Sequence, residues 1–151
     1  MKLVLQRVRR ARVTVDGREV AAIGPGAMVL CGVARGDTAA DAAFLARKTS
    51  QLRIYDDADG KMNLAVDPQA GAFLVVSQFT LYGDCAKGNR PSYIDVAAPD
   101  DGRSGYEDYV AQLRALGHRV ETGIFGTNMM VELENDGPVT LILESRGRAA
   151  A

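Results

Sequence analysis

Apolar and polar positions alternate over much of the first 34 residues, as they do in strands that bury one face. The pattern predicts strands over Leu3–Val8, Ala11–Val15, Glu19–Ile23 and Ala27–Val33. The Asp16-Gly17 pair between the second and third strands favours a hairpin turn. The start of the chain is therefore predicted to be a run of successive strands in one sheet.

Two later stretches have the three-to-four-residue spacing of amphipathic helices. Thr38 and Asp41 resemble a capping box with Asp in place of Glu, and the apolar positions after them predict the first helix. The second helix is predicted over residues 104–116. We interpret Tyr106 and Tyr109 on its apolar stripe as core residues rather than as a platform for bases.

Phe73–Phe79 is an apolar run broken only by Ser77 and Gln78, which is typical of a central strand buried on both faces. Its end is a favourable place for chemistry. Residues 83–103 are rich in Gly, Pro, Asp and Asn and predict a long ordered loop.

Asn135-Asp136-Gly137-Pro138 interrupts a strand region that extends from about residue 128 to residue 145. Asp-Gly is turn chemistry and Pro138 cannot donate to a sheet ladder, so the simplest interpretation is a hairpin loop between paired strands. The alternative is a functional turn whose carbonyl groups point in unusual directions. Together the elements predict one α/β domain over residues 1–151: a mostly antiparallel or mixed, barrel-like sheet with two packed helices and a flexible tail at 146–151.

Composition is that of an ordinary globular protein, 47% hydrophobic and 25% charged, and the net charge of −1 provides no general attraction to nucleic acid or anionic membranes. The start of the chain has no signal-peptide pattern and no apolar run has membrane-spanning length, so we expect a cytoplasmic protein without a membrane partner. Cys31 and Cys85 lack a spacing motif and predict neither a disulfide nor a metal site.

Four arginines near the start of the chain form its densest basic cluster. They can be a phosphate-contacting face or, more commonly, a solvated strand face. Lys87 and Arg90 in the predicted loop are further candidates for contact with an anionic substrate. The clustered arginines are Arg7, Arg9, Arg10 and Arg12.

The inventory of catalytic groups is poor. His118 has no local motif and is predicted to be a surface residue. No nucleophile elbow, phosphate loop, dinucleotide-binding pattern or zinc spacing occurs, so a triad hydrolase is not expected, and neither is a cofactor or a metal.

Two segments closely resemble the signature motifs of the D-aminoacyl-tRNA deacylases, and the resemblance extends along nearly the whole chain. The motifs are Ser77-Gln78-Phe79-Thr80-Leu81-Tyr82 and the pair Gly126-Thr127-Asn128-Met129-Met130 and Asn135-Asp136-Gly137-Pro138-Val139-Thr140. Further similar stretches are Leu5-Gln6-Arg7-Val8, Lys61-Met62-Asn63-Leu64 and Gly88-Asn89-Arg90-Pro91-Ser92-Tyr93.

The resemblance implies a homodimer that hydrolyses the ester between a D-amino acid and the terminal adenosine of tRNA. It implies that Gly137-Pro138 is joined by a cis peptide bond and enters the partner subunit's active site as a chirality filter. Phe125 and Met129 are placed beside the adenine, where core packing is the alternative interpretation. The residues implied to line the catalytic pocket are Ser77, Gln78, Phe79 and Thr80.

The chain departs from the commoner family pattern at four positions, none of them in the Gly-Pro unit or in the segment 77–80. Glu134 and Asn89 weaken the expectation of strong phosphate contacts near the site. The departures are Asn89, Tyr93, Met130 and Glu134.

The missing acid–base machinery suggests that the 2′-OH of the substrate helps to activate water, while backbone N–H groups at Phe79 and Thr80 face the developing oxyanion. If the carbonyl oxygens of Gly137 and Pro138 hold the α-amino group of the substrate, an L side chain collides with the same backbone, so we expect L-aminoacyl-tRNA to be rejected and glycyl-tRNA, which has no side chain, to be hydrolysed. Two alternatives remain: an esterase with Thr80 as nucleophile, and a non-catalytic RNA-binding or dimerisation module with the same fold.

Overall fold

A computed structural model of the chain describes residues 1–145; the predicted tail at 146–151 lies outside the described residues. The described part contains strands β1 to β8, helices α1 and α2, and a 3₁₀ turn. In chain order these are β1 (Lys2–Val15), β2 (Arg18–Ile23), β3 (Gly26–Gly32), α1 (Ala39–Gln51), β4 (Tyr55–Asp56), β5 (Met62–Leu64), β6 (Ala72–Ser77), the 3₁₀ turn (Phe79–Tyr82), α2 (Pro99–Ala115), β7 (Arg119–Thr122) and β8 (Met130–Glu144).

Six strands form one mixed sheet in the order β2-β1-β3-β6-β7, with β8 also paired to β1. β3, β6 and β7 run parallel, whereas β1 is antiparallel to β2, β3 and β8. The sheet curls nearly into a barrel, and the two helices pack against each other. The predicted fold class, a mixed barrel-like sheet with two helices, is confirmed.

The first two predicted strands are one strand. β1 pairs with β3 over Lys2–Val8 and with β2 over Ala11–Val15, so it changes partner near Arg9 without ending. The turn at Asp16-Gly17 is present, with both residues at positive φ.

The hairpin interpretation of the Gly137-Pro138 segment is wrong. β8 is a single strand whose two halves both pair with β1, because β1 is long enough to accept them one after the other. Gln6 pairs with Thr140 and Val8 with Asn135, so residues 136–139 lie opposite Arg7 alone. The segment is a bulge in an edge strand rather than a turn between strands.

The core lies on both faces of the sheet. One side is filled by Leu5, Phe73 and Tyr109 between sheet and helices, and the other by Val13 and Leu74 inside the curled sheet. β6 is fully buried over residues 72–76, which confirms the predicted central strand, but the strand ends at Ser77 and the predicted end at Phe79 lies in the exposed 3₁₀ turn.

α2 begins at Pro99, five residues before the predicted start, since proline is favoured in the first turn of a helix, where its missing N–H leaves no hydrogen bond unmade. Tyr106 and Tyr109 are buried, as predicted. None of the helices formed by residues 1–145 is long and apolar enough to cross a membrane.

The prediction that His118 is a surface residue is wrong, because the residue is only 8% exposed. Its ring packs edge-on against Phe73 with centroids 5.0 Å apart. Its Nδ1 atom is buried without a hydrogen-bond partner, and burial lowers the pKa of the imidazole. Gly117 follows α2 and returns the chain directly to the sheet. The His118 side chain is therefore placed against Phe73 of β6.

Candidate active site

An open cleft of about 570 Å³ lies where β6 ends and the 3₁₀ turn begins. It brings together five of the predicted site residues from distant parts of the chain. These are Ser77, Gln78 and Phe79 on one side, and Phe125 and Met129 on the other. The remaining lining includes residues from β3, the start of α2 and the segment 126–131.

The end of β6 leaves two backbone N–H groups, those of Phe79 and Thr80, without an acceptor in the part of the chain that the structure describes. The N–H of Gln78 extends the parallel ladder by donating to the carbonyl oxygen of Cys31 at 2.8 Å. The chain then turns into the 3₁₀ segment, whose first N–H groups have no acceptor within the turn. Among the hydrogen bonds formed by residues 1–145, none is donated by the backbone N–H of Phe79 or Thr80.

Within residues 1–145, no histidine, carboxylate or amine side chain forms a hydrogen bond with the Thr80 hydroxyl. Its oxygen accepts a hydrogen bond from the side-chain amide of Gln78, and it does not belong to the residues that line the cleft. The lining residues include no His, Lys, Arg, Asp or Glu side chain. Cys31 also lines the cleft, which sequence reasoning missed, and burial raises the pKa of its thiol to about 12, so it stays protonated at neutral pH. The cleft therefore offers backbone dipoles and neutral polar groups rather than an acid–base pair.

Phe125 and Met129 form the apolar wall of the cleft. Phe125 is half-buried and rests against Tyr106 of α2, with ring centroids 5.9 Å apart at a tilt of 43°. The guanidinium carbon of Arg103 lies 4.7 Å from the Phe125 ring centroid. This combination of an accessible aromatic ring and a polarisable thioether suits contact with a flat base.

Met129 packs directly against Gly123. A Cβ atom at that glycine would lie 2.6 Å from the Met129 sulfur, so any larger residue there would displace the thioether. The close approach fixes where this wall of the cleft stands.

Gly137 and Pro138 lie away from the cleft, in the β8 bulge, and are not among its lining residues. The peptide bond between them is cis, as the resemblance implies. Gly137 has φ +128°, and a Cβ atom there would approach the Val139 nitrogen to 2.9 Å and an Arg7 guanidinium nitrogen to 3.1 Å. Only glycine fits this position without strain.

The four clustered arginines are occupied by β8. Arg10 pairs with Glu134 at 2.9 Å, and Arg12 pairs with both oxygens of Glu132 at 2.5 and 3.0 Å. The Arg12 contacts hold the pKa of Glu132 below its usual value. Of the two interpretations of the arginine cluster, the contacts fit a strand face, here paired with carboxylates, and not an open phosphate-binding surface. Arg7 and Arg9 both contact Asp136.

No group of three or more His, Cys, Asp or Glu side chains within residues 1–145 is arranged to hold a metal ion. The carboxylate of Asp57 instead stabilises its own acidic turn, because it accepts hydrogen bonds from the backbone N–H groups of Asp59 and Lys61.

Residues 4–144 match the family model described as D-Tyr-tRNA(Tyr) deacylase. The chain is 57% identical over 146 residues to a D-aminoacyl-tRNA deacylase of Anaeromyxobacter dehalogenans, covering 97% of this chain and 98% of the relative. It is 55% identical over 147 residues to one of Heliobacterium modesticaldum, with the same coverage, and 53% identical over 151 residues to one of Geobacter sulfurreducens, covering 100% and 99%.

Two solved structures share the fold over 95% of this chain and 98% of their own. One, called c-Myc DNA Unwinding Element Binding Protein, has a TM-score of 0.89 and 39% identity. The other, a probable eukaryotic D-amino acid tRNA deacylase, has a TM-score of 0.79 at 19% identity, a level at which the likeness concerns the fold alone.

Proposed function

This chain belongs to the D-Tyr-tRNA(Tyr) deacylase family, and we propose that its cleft holds the 3′ end of a D-aminoacyl-tRNA while water cleaves the ester. It is a D-aminoacyl-tRNA deacylase, a carboxylic ester hydrolase whose substrate is an aminoacyl-tRNA.

The terminal adenine packs on Phe125 and Met129, and the ester reaches the opposite side of the cleft. Its carbonyl oxygen accepts hydrogen bonds from the backbone N–H groups of Phe79 and Thr80. Neutral residues on the rest of the lining leave these dipoles as the main source of electrostatic stabilisation. One such donor is typically worth about 2.7–4 kcal/mol in the transition state.

Water attacks the ester carbonyl carbon, and the adjacent 2′-OH of the ribose assists by orienting it and relaying a proton. The bond to the 3′ oxygen then breaks, and that oxygen leaves with a proton as the free 3′-OH of tRNA. The amino acid leaves as a carboxylic acid, which gives up its proton to solvent and becomes a carboxylate. This route uses a group that every substrate carries, which fits a cleft without an acidic or basic side chain.

The protein acts as a homodimer in which the Gly137-Pro138 unit of one subunit enters the cleft of the other. The two carbonyl oxygens accept hydrogen bonds from the α-ammonium group of the substrate. With the ammonium fixed in this way, an L side chain collides with the same backbone, whereas a D side chain points out to solvent. Glycine has no side chain to reject, so glycyl-tRNA is also cleaved.

The proposal rests on the two backbone N–H groups at Phe79 and Thr80, which have no acceptor, beside a cleft whose other wall is Phe125 and Met129. The test is hydrolysis of D-tyrosyl-tRNA by the purified protein, measured against buffer alone and alongside binding of uncharged tRNA. Turnover supports the enzyme, and tight binding without turnover would support the RNA-binding module instead.

A further inference from the structure

Arg103 lies at the rim of the cleft, and the proposed mechanism leaves it unused. It belongs to the first turns of α2, whereas the sequence pattern placed it in a loop. Its guanidinium carbon is 4.7 Å from the centroid of Phe125, so the cation lies against the ring that forms the cleft wall.

The side chain is held loosely enough to receive a ligand. Arg103 pairs with Glu107 one helical turn later at 3.8 Å, and the two side chains are 52% and 62% exposed. An ion pair this long and this exposed contributes little and is easily exchanged for another anion. The guanidinium is therefore anchored by the Phe125 ring and open toward solvent on its remaining side.

A phosphate at this rim needs a local cation. The whole chain carries a net charge of −1, and Asp100 and Asp101 make the first turn of α2 acidic. The N-terminal arginines, for which the sequence left a phosphate-contacting face open, are engaged by carboxylates of β8. Arg103 supplies a positive charge directly beside the candidate base platform.

The chemistry of a terminal nucleotide indicates which anion meets it. The ribose carries the aminoacyl ester on its 3′ side and a phosphodiester on its 5′ carbon. Because the base and the 5′-phosphate are carried by the same ribose, a ligand with its base on Phe125 brings its 5′-phosphate close to the rim where Arg103 lies. We propose that Arg103 binds the phosphodiester that joins the terminal adenosine to the preceding nucleotide, which makes it a binding residue for the RNA strand. This inference rests on the proposed function of the same cleft.

The experiment compares Arg103→Gln with the wild type on two substrates, D-tyrosyl-tRNA and 3′-D-tyrosyl-adenosine without a 5′-phosphate. We expect KM for the tRNA to rise about five- to tenfold with kcat unchanged, because one charge-assisted contact is lost. KM for the adenosine ester should stay within about twofold. Arg103→Lys, which keeps the charge, should recover much of the lost affinity, and the salt dependence of tRNA binding should fall by about 0.7 in slope for Arg103→Gln.

Arg119→Gln is the matched control, since Arg119 is a similarly exposed arginine in a surface ion pair with Glu121 on β7. Arg119→Gln should leave KM unchanged for both substrates. Equal losses on both substrates for Arg103→Gln would mean that Arg103 only braces Phe125, and no loss on either would exclude a contact; both results overturn the proposal.

A binding measurement separates this inference from the proposed function. NMR titration of both proteins with adenosine 5′-monophosphate and with adenosine makes the same comparison without turnover. Wild-type preference for the monophosphate that disappears in Arg103→Gln supports the phosphate contact even if no ester is hydrolysed. Identical titrations of the two proteins would overturn it, whatever the enzyme does to tRNA.

Discussion

The Nε atom of Arg7 donates a hydrogen bond to the backbone carbonyl oxygen of Asp136 at 3.1 Å, immediately before Gly137-Pro138. The same guanidinium donates to the carbonyl oxygen of Ile54 at 2.6 Å and lies over the Tyr55 ring. Arg7 is 8% exposed and stands opposite the β8 bulge in the sheet register. It therefore connects the bulge to the loop between α1 and β4.

Arg7→Met should loosen the bulge, because it leaves two backbone carbonyls without their donor. We expect a loss of roughly 2–4 kcal/mol in the free energy of unfolding, measured by urea denaturation, with a loss of deacylation rate in the surviving folded protein. Arg9→Met is the matched control. Arg9 contacts the Asp136 side chain at 3.2 Å but is 71% exposed, so it should cost below about 1 kcal/mol. Equal effects of the two substitutions would contradict a special role for Arg7.

Thr80→Ala should keep most of the activity if only the Thr80 backbone takes part. The hydroxyl accepts one hydrogen bond from Gln78, so its removal should lower kcat by no more than about tenfold. A tRNA ending in 2′-deoxyadenosine with a 3′ ester should instead lose about 10²–10⁴ in rate, the usual contribution of acid–base assistance. Single-turnover kinetics of Thr80→Ala on the ordinary substrate, and of the wild type on the deoxy substrate, distinguish the two mechanisms. A collapse of the single-turnover rate constant for Thr80→Ala, with the deoxy substrate unaffected, would identify Thr80 as the nucleophile.

Gly137→Ala should disable the bulge that we propose to enter the partner's cleft. The added methyl would meet backbone at 2.9 Å and Arg7 at 3.1 Å, and a shift of this kind can cost about 10²-fold in rate. Gly17→Ala is the matched control, since Gly17 also has positive φ (+76°) but nothing within 4 Å of its Cβ position. It should cost about 1–2 kcal/mol of stability and leave the rate unchanged.

Sharing of sites between subunits can be tested with mixed dimers. Gly137→Ala has an intact cleft and a damaged bulge, whereas Phe125→Glu has the reverse. If the bulge acts in the partner's cleft, refolding an equal mixture of two inactive proteins should restore activity at one of the two sites in each hybrid. Sedimentation should show dimers throughout. An inactive hybrid that is dimeric, or a fully active wild-type monomer, would contradict the shared site.

His118 should make stability depend on pH in the window that begins at its unfolded-state pKa of about 6.5 and extends below it. Burial lowers its pKa in the folded state, so below the unfolded value of about 6.5 the unfolded chain takes up a proton that the folded chain does not. The free energy of unfolding should therefore fall as the pH drops through this window, by at most about 1.4 kcal/mol per pH unit. His118→Phe keeps the ring beside Phe73 and should flatten the curve measured by urea denaturation at each pH. An unchanged slope would mean that another group titrates there.

The strands of the sheet were predictable because their burial follows directly from alternation, as in β6, and the capping Asp41 does accept a hydrogen bond from the Thr38 backbone. Alternation cannot express how many partners one strand has. The alternation in β8 is equally compatible with two halves that pair with each other and with two halves that both pair with β1. The length of β1 decides between these two pairings.

The cleft was predictable as residues but not as geometry. The family motifs identified Phe79, Phe125 and Met129, yet nothing local to the sequence signals that Cys31 lines the same cleft or that Arg103 stacks on Phe125. Both follow from neighbours in the fold: β3 lies beside β6, and α2 starts early enough to carry Arg103. The prediction that His118 lies on the surface is wrong for the same reason, since the burial of a polar residue after a helix depends on which parts of the fold pack against it.

In the proposed mechanism the site selects its substrates by backbone contacts and by configuration at Cα rather than by recognising a side chain. Initial rates of hydrolysis of D-tyrosyl-, D-aspartyl-, glycyl-, L-alanyl- and L-tyrosyl-tRNA, compared at one concentration of wild-type protein, test this selection. We expect similar kcat/KM for the two D substrates, cleavage of glycyl-tRNA and sparing of both L substrates. Efficient cleavage of either L substrate, or complete sparing of glycyl-tRNA, would contradict selection by the backbone.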